Sequence, residues 1–246
     1  MDTTPEPSNP VEEFVRRAER LASDAEYRIP SWLRPGDPEN RMPVLVALSV
    51  AIALQLAIPK SYTVVPRWPL IALELLLVVV LVGLNPLRLS RSTTFGKWAS
   101  YVLLAAITVD NMLSALVLDI RILSGEVSNK PAVLLGSGGA IYVTTVIVFG
   151  VWYWEIDRGG PFARREGSRP YPDFMFPQMT ERELAPPNWR PEFLDYLYVS
   201  ITNVVAFSPT DTMPMTHRAK AMMTVQAMIS FTTLALVVAR AVNVLA

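Results

Sequence analysis

Cysteine is absent from the 246 residues, and histidine occurs once, as His217. The first absence removes disulfides, thiolate nucleophiles and cysteine-held metals. The second removes the paired histidines of a zinc-protease helix. No Gly-x-Ser-x-Gly elbow is present either, so no hydrolase nucleophile is indicated. Neither sign of charge is in excess, with 22 Lys and Arg against 22 Asp and Glu. No basic stripe interleaved with aromatics runs through the chain, which excludes nucleic acid as a partner. The opening MDTTPEPSNP carries no basic stretch ahead of an apolar one, so no cleaved signal peptide is expected. No enzyme, cofactor or metal site is expected. Repeated arginines along an apolar helix are also missing, which excludes a voltage sensor.

What is present is apolar. Hydrophobic residues make up 51% of the chain and charged residues 18%, with a mean hydropathy of +0.31, a composition suited to lipid more than to a water-soluble core. Four apolar runs, Met42–Ile58, Trp68–Leu84, Trp98–Leu118 and Pro131–Trp154, are bounded by Pro, Lys, Arg or Trp and joined by short connections. These are expected to be transmembrane helices. Before them, residues 1–41 form a polar tail in which Val11, Phe14, Val15, Ala18, Leu21, Ala22 and Ala25 recur at helical spacing, an amphipathic helix with Asn9, Pro10 and Glu12 at its start. Residues 42–156 form the four-helix region. Residues 157–192 are a Pro- and Arg-rich loop whose composition resists regular structure. The aromatic run Val151–Trp154 reads as an interfacial belt, and Gly136, Gly138 and Gly139 as small residues for close helix packing.

Lys and Arg are distributed unevenly. The N-terminal tail, the second interhelical connection and the 157–192 loop carry six, three and six, whereas the first and third connections carry two each. By the positive-inside rule the tail and the long loop are cytoplasmic.

Residues 193–246 read as a short apolar segment, a Pro/Thr/Asp break and a full-length apolar helix, the order in which a pore loop is built. Tyr198, Ser200 and Thr202, followed by Asp211, Pro214 and Thr216, meet the flanking pattern of the pore region in the tetrameric potassium-channel superfamily, which this last fifth of the chain resembles. The filter positions read Ala206, Phe207, Ser208, Pro209 and Thr210. The resemblance implies a pore loop with Asp211 at its mouth, a monovalent ion as the transported species and a homotetramer, since one chain supplies one pore segment. That family's pore loop enters from outside, which conflicts with the charge distribution unless Phe193–Phe207 crosses completely. Five or six transmembrane segments follow accordingly. The turn Phe-Ser-Pro-Thr-Asp before an apolar C-terminal helix is also similar to a family of uncharacterised bacterial integral membrane proteins, which implies a multi-pass protein of the plasma membrane.

Backbone geometry argues against a potassium filter. Aiming successive carbonyls at an ion requires left-handed residues where glycines normally stand, and Ser208 and Thr210 occupy those places with Pro209 fixed between them. The same segment suits a tight turn. The polar residues at membrane depth are the remaining candidates: Glu74, Asp110, Asn111 and Gln226, with Gln55 beside them. An Asp at a helix centre costs ~3 kcal/mol even on the lenient insertion scale, and such a residue is expected to face the bundle interior. The fold expected is therefore all-α and polytopic. Its function is expected to be ion-channel-like transport with a non-standard filter, or a non-conducting membrane scaffold in which the polar groups only join helices. The lipid bilayer is the one partner the sequence assigns directly.

Overall fold

The computed structural model describes residues 29–63, 67–84, 93–127, 130–181, 183–205 and 211–245. The amphipathic helix expected before residue 29 and the filter-like positions Ala206, Phe207, Ser208, Pro209 and Thr210 lie outside these segments. The protein is predominantly helical: α1 (Met42–Ala57), α2 (Arg67–Leu84), α3 (Thr94–Ser124), α4 (Pro131–Ile156), two short helices α5 (Pro161–Glu166) and α6 (Pro177–Thr180), then α7 (Phe193–Val205) and α8 (His217–Leu245). Three of these, α3, α4 and α8, are long and apolar enough to cross a membrane.

Around an apolar core, burial departs from that of a water-soluble bundle. Leu75, Leu76 and Val79 on α2, Val109, Leu116 and Ile120 on α3, and Met228, Phe231 and Val242 on α8 face outward. Inside stand Gln55, Glu74, Asp110, Asn111, Ser114, Thr144, Thr145 and Gln226. Apolar surface pointing out and polar groups pointing in is the arrangement hydrocarbon solvent selects.

The helix ends follow from local chemistry. Helix α3 is longer than its apolar core because Thr93 caps it, accepting from Gly96 N at 3.1 Å, and because Gly125, at φ 76°, ends it in the left-handed conformation that glycine adopts without a Cβ penalty. Thr216 starts α8 by accepting from Ala219 N at 3.3 Å.

Hydrogen bonds order the bundle ends. Arg41, before α1, donates to Leu81 O near the end of α2 at 2.7 Å, so α1 and α2 are antiparallel. Trp152 Nε1 on α4 donates to Thr108 Oγ1 at 2.9 Å and Asn111 Nδ2 on α3 to Thr145 Oγ1 at 2.8 Å, so α3 and α4 are antiparallel as well. Arg218 Nη2 reaches Ile156 O at 3.1 Å, placing the start of α8 beside the end of α4. Segment 29–41, the end of α2, the start of α3, the whole of 157–192 and the starts of α7 and α8 thus share one end of the bundle, called here the loop end.

Helix α7 begins at the loop end, where Phe193 packs edge-on to Trp154 at 6.4 Å, and runs back along α4, with Leu197 beside Gly150 and Ser200 Oγ donating to Val146 O at 2.7 Å. By Met213–Pro214 the chain is again at the loop end, where strand β2 (Met213–Pro214) pairs antiparallel with β1 (Phe174–Met175). The start of α7 and strand β2 therefore stand at the same end.

The 157–192 segment departs from the irregular loop its composition suggested. It holds a 3-10 turn, α5, β1 and α6, and Phe174, Phe176 and Met179 are buried. Three consecutive left-handed residues, Arg158, Gly159 and Gly160, fold it back under α4. The aromatic run at the end of α4 also turns inward, with Tyr153 and Trp154 buried, because this folded segment covers them. Of the α4 glycines, Gly138 accommodates Val237, whereas Gly136 and Gly139 meet nothing within 4 Å.

A Cβ at Gly150 would lie 3.1 Å from Leu197 Cα, which is backbone and cannot rotate away. Gly150→Val is expected to cost about 1–3 kcal/mol by overpacking, whereas Gly139→Val is expected to stay within about 0.5 kcal/mol. Thermal unfolding of the two variants in one detergent checks the difference.

Candidate functional site

The polar residues buried among the helices fall into three groups with different chemistry. In the first, Gln226 is saturated. Its Oε1 accepts from Tyr153 Oη at 2.5 Å and from Asn203 Nδ2 at 2.8 Å, while its Nε2 donates to Ser200 Oγ at 2.6 Å. Asn203 Nδ2 also donates to Met223 O at 2.9 Å. This seam joins α4, α7 and α8 and leaves no valence for a ligand. Thr202 lies on the outer side of α7, its hydroxyl shared between Tyr198 O and Val199 O at 3.1 and 3.0 Å, and Asp211 is exposed at the loop end. In the second group Asn111 donates to Thr145 Oγ1, and to Ile141 O at 3.4 Å, joining α3 to α4.

The third group is not saturated. Gln55 on α1 and Glu74 on α2 meet through one bond, Gln55 Nε2 to Glu74 Oε1 at 3.3 Å, with both residues buried. Glu74 Oε2, Gln55 Oε1 and Ser114 Oγ are buried without a hydrogen-bond partner. Asp110, one turn before Ser114 on α3, is 6% exposed. The Gln55–Glu74 pair is thus a desolvated centre whose hydrogen bonding does not close. No group of three or more His, Cys, Asp or Glu among the described residues could hold a metal ion.

A second charged assembly closes the loop end. Asp157 Oδ1 accepts from Asp173 N at 2.7 Å and Phe174 N at 3.2 Å, and its Oδ2 from Tyr196 Oη at 2.7 Å. Asp173 accepts from Arg158 N at 3.0 Å, Thr216 Oγ1 at 2.6 Å, and Arg218 Nε and Nη2 at 2.6 and 2.5 Å. Arg164 grips Glu39 through Nε and Nη2, both at 3.0 Å, and donates through Nη1 to Trp154 O and Asp157 O at 2.6 and 3.0 Å. Arg158 donates to Arg169 O at 2.7 Å and to Trp32 O. Burial pushes both carboxyls up. At Asp157 burial prevails over Arg164 and the three donated hydrogen bonds, and the group is held above the ordinary range. At Asp173 burial is outweighed by Arg218, Thr216 and the Arg158 N–H, and the group is held below it. With every acceptor committed, this assembly is a structural clasp.

Sequence reasoning named Glu74, Asp110, Asn111 and Gln226, and the structure buries all four while bonding Glu74 to Gln55, Asn111 to Thr145 and Gln226 to Asn203. Ser114 was not singled out, because a serine within an apolar helix carries no signal by itself. Its place one turn from Asp110 was the available clue. Asp157, Asp173 and Arg164 were hidden in a segment whose Arg and Pro content looks like solvated loop. Searched against family models, curated proteins and solved structures, the chain matches none.

The clasp generates a pH test. Because the Asp173 carboxyl is depressed, its stabilisation is present above its ordinary value of 3.8 and is lost as pH falls through the lower folded value. Asp173→Asn is expected to lose about 2 kcal/mol at neutral pH, as charged hydrogen bonds disappear, and to flatten the acid limb. Unfolding in detergent between about pH 2 and pH 7 checks both.

Proposed function

We propose that the chain is an integral membrane protein that crosses the bilayer five times, through α1, α2, α3, α4 and α8, with α7 as a re-entrant half-helix, and that it moves a small monovalent cation across the membrane by way of Glu74 and Asp110. Helices α1 and α2, with 16 and 18 residues, extend for about 24 and 27 Å, close to the hydrocarbon thickness of ~30 Å. A 13-residue α7 reaches about 20 Å, and its chain returns to the end it left, which favours re-entry over a sixth crossing. The loop end collects the connections richest in Lys and Arg and is assigned to the cytoplasm. Exposed Trp98 near the start of α3 and Trp68 near the start of α2 fall at opposite ends, where indoles favour the two interfaces.

One observation carries the transport reading: the buried Gln55–Glu74 pair, in which Glu74 Oε2 and Gln55 Oε1 have no hydrogen-bond partner. Structural polar groups in lipid satisfy one another, as Gln226 and Asn203 do here. A buried carboxyl left with an unpartnered oxygen costs several kcal/mol, and a passing cation is the physical reason to retain it. The route lies among α1, α2 and α3 and not through the channel-like turn at 206–210, so conduction needs no assembly of four chains. The alternative, a non-conducting scaffold, draws support only from the saturated α4–α7–α8 seam.

The absence of cysteine makes the topology directly measurable. Cysteine replacing exposed Tyr171 at the loop end is expected to resist an impermeant thiol reagent in intact cells, and cysteine replacing exposed Glu126 at the other end to react. For transport, proteoliposomes are expected to carry sodium, lithium or proton flux that falls at least about tenfold in Glu74→Gln, the loss of ~1.4 kcal/mol of stabilisation or more. Flux no greater than in empty vesicles for sodium, lithium, potassium and protons overturns transport in favour of the scaffold.

A further inference from the structure

Two cavities open at the loop end. The smaller, of about 230 Å3, lies between α1, α2, α3, α4 and α5 and carries ionic groups of both signs, Arg41 and Lys97 with Glu155 and Glu166, beside apolar side chains. The larger, of about 1090 Å3, lies between segment 29–42, the stretch 158–165 and residues 188–195. Arg34, Arg158, Arg164, Arg165 and Arg190 line it against four acidic residues, one of which, Glu39, is already gripped by Arg164. Its lining therefore carries one positive charge in excess. Hydrogen bonds tie the three parts of the wall together: Gly36 N donates to Arg165 O at 3.0 Å, Arg190 Nη2 to Pro35 O at 2.9 Å and Ser31 Oγ to Trp189 O at 2.7 Å.

The deepest arginine of the larger cavity is incompletely partnered. Arg158 is 1% exposed, and a guanidinium stays charged at physiological pH. Arg164 has the Glu39 carboxylate and Arg218 the Asp173 carboxylate. The Arg158 side chain bonds only carbonyl oxygens, those of Arg169 and Trp32, and its Nη2 is buried without an acceptor. Trp32, whose ring centre lies 5.3 Å from that guanidinium, also holds a buried donor without an acceptor, its Nε1. Both residues line the cavity, and two orphaned donors at one wall call for an acceptor. Arg158 is moreover the one non-glycine residue at positive φ among the described residues, at 51°, a strained conformation kept where the surroundings enforce it.

We infer that the larger cavity seats the phosphate group of an anionic membrane lipid, with Arg34 and Arg190 as its ligands, Arg158 as the buried charge of the wall, and the acyl chains lying against Met42 and Leu194. Phosphate oxygens accept hydrogen bonds, and a guanidinium fork matches two of them at once. A phosphodiester carries one negative charge, which balances the excess in the lining. The lipid as source follows from where the cavity ends. Met42 begins α1 and Leu194 stands in the first turn of α7, both line the cavity, and both are exposed, so the polar cavity adjoins apolar surface at the level where these helices start. Trp32 and Trp189, also in the lining, are of the residue type that settles at headgroup depth. Basic pockets at the cytoplasmic side of membrane helices suit anionic headgroups for the same electrostatic reason. This seat rests on the placement of the loop end at the bilayer surface and is independent of cation transport.

Native mass spectrometry of the delipidated full chain in detergent, titrated with dioleoyl phosphatidylglycerol and separately with dioleoyl phosphatidylcholine, tests the seat. One phosphatidylglycerol per chain is expected to bind at least about tenfold more tightly than phosphatidylcholine. That preference is expected to fall about tenfold in Arg34→Gln and in Arg190→Gln, as a charge-assisted hydrogen bond is lost, and to be unchanged in Lys60→Gln at the opposite end. These two arginines are chosen because Arg158→Gln also breaks the bonds to Arg169 and Trp32, and unfolding of each variant in lipid-free detergent checks that its fold is kept. Equal affinity for the two lipids, or a preference undiminished in both arginine variants, overturns the seat. An equal loss in Lys60→Gln overturns it as well, since attraction then belongs to the whole surface. Displacement of bound phosphatidylglycerol by millimolar inorganic phosphate or glycerol 3-phosphate overturns the lipid as source and assigns the cavity to a soluble phosphate.

Discussion

Hydrocarbon offers no hydrogen-bond partner, so each polar group placed inside this bundle must find one within the protein or incur a desolvation cost of several kcal/mol. That constraint organises the structure. It turns the apolar faces of α2, α3 and α8 outward, and it forces Tyr153, Ser200, Asn203 and Gln226 into a closed seam across three helices. The accounting does not close everywhere: Gln55 Oε1 and Glu74 Oε2 remain without partners, as do Asn111 Oδ1, Ser114 Oγ, Thr144 Oγ1 and Ser230 Oγ.

The loop end works under a different regime, in which charge is buried but compensated. Asp157, Asp173, Arg158 and Arg164 are nearly inaccessible, and each is held by backbone groups from a different part of the chain. Asp157 ties the end of α4 to β1 and α7. Asp173 ties β1 to the turn before α8. Arg164 ties α5 to segment 29–41 through Glu39. Removing one member of such a set leaves its partner charged and dry, which costs more than the bond itself is worth. The clasp therefore holds the start of α7 and the start of α8 at one end.

The two charged regions are linked through geometry. The clasp positions α5 and the end of α4, and these contribute Phe162, Ala163, Trp154 and Glu155 to the wall of the smaller loop-end cavity. That cavity lies among α1, α2 and α3, the helices that also carry Gln55, Glu74 and Asp110.

Composition and hydropathy by themselves determined the class of the protein, because a chain half apolar with long uncharged runs has no aqueous core to form. They also determined the four apolar helices Met42–Ile58 to Pro131–Trp154 within a few residues, and the residues costly enough to be turned inward, Glu74 and Asp110 among them. Single-residue resemblance and charge counting left the path of residues 193–216 open between re-entry and crossing, because a short apolar segment is compatible with both. Tertiary contacts bear on it, through the pairing of β1 with β2 and the grip of Arg218 on Asp173, which hold the start of α8 at the same end as the start of α7. Likewise, nothing in the spacing of Gln55 and Glu74, on two helices, announces their contact. Helix packing brings them together, since which faces meet depends on side chains distant in sequence, and the unpartnered oxygens of the pair are buried only once those faces have met.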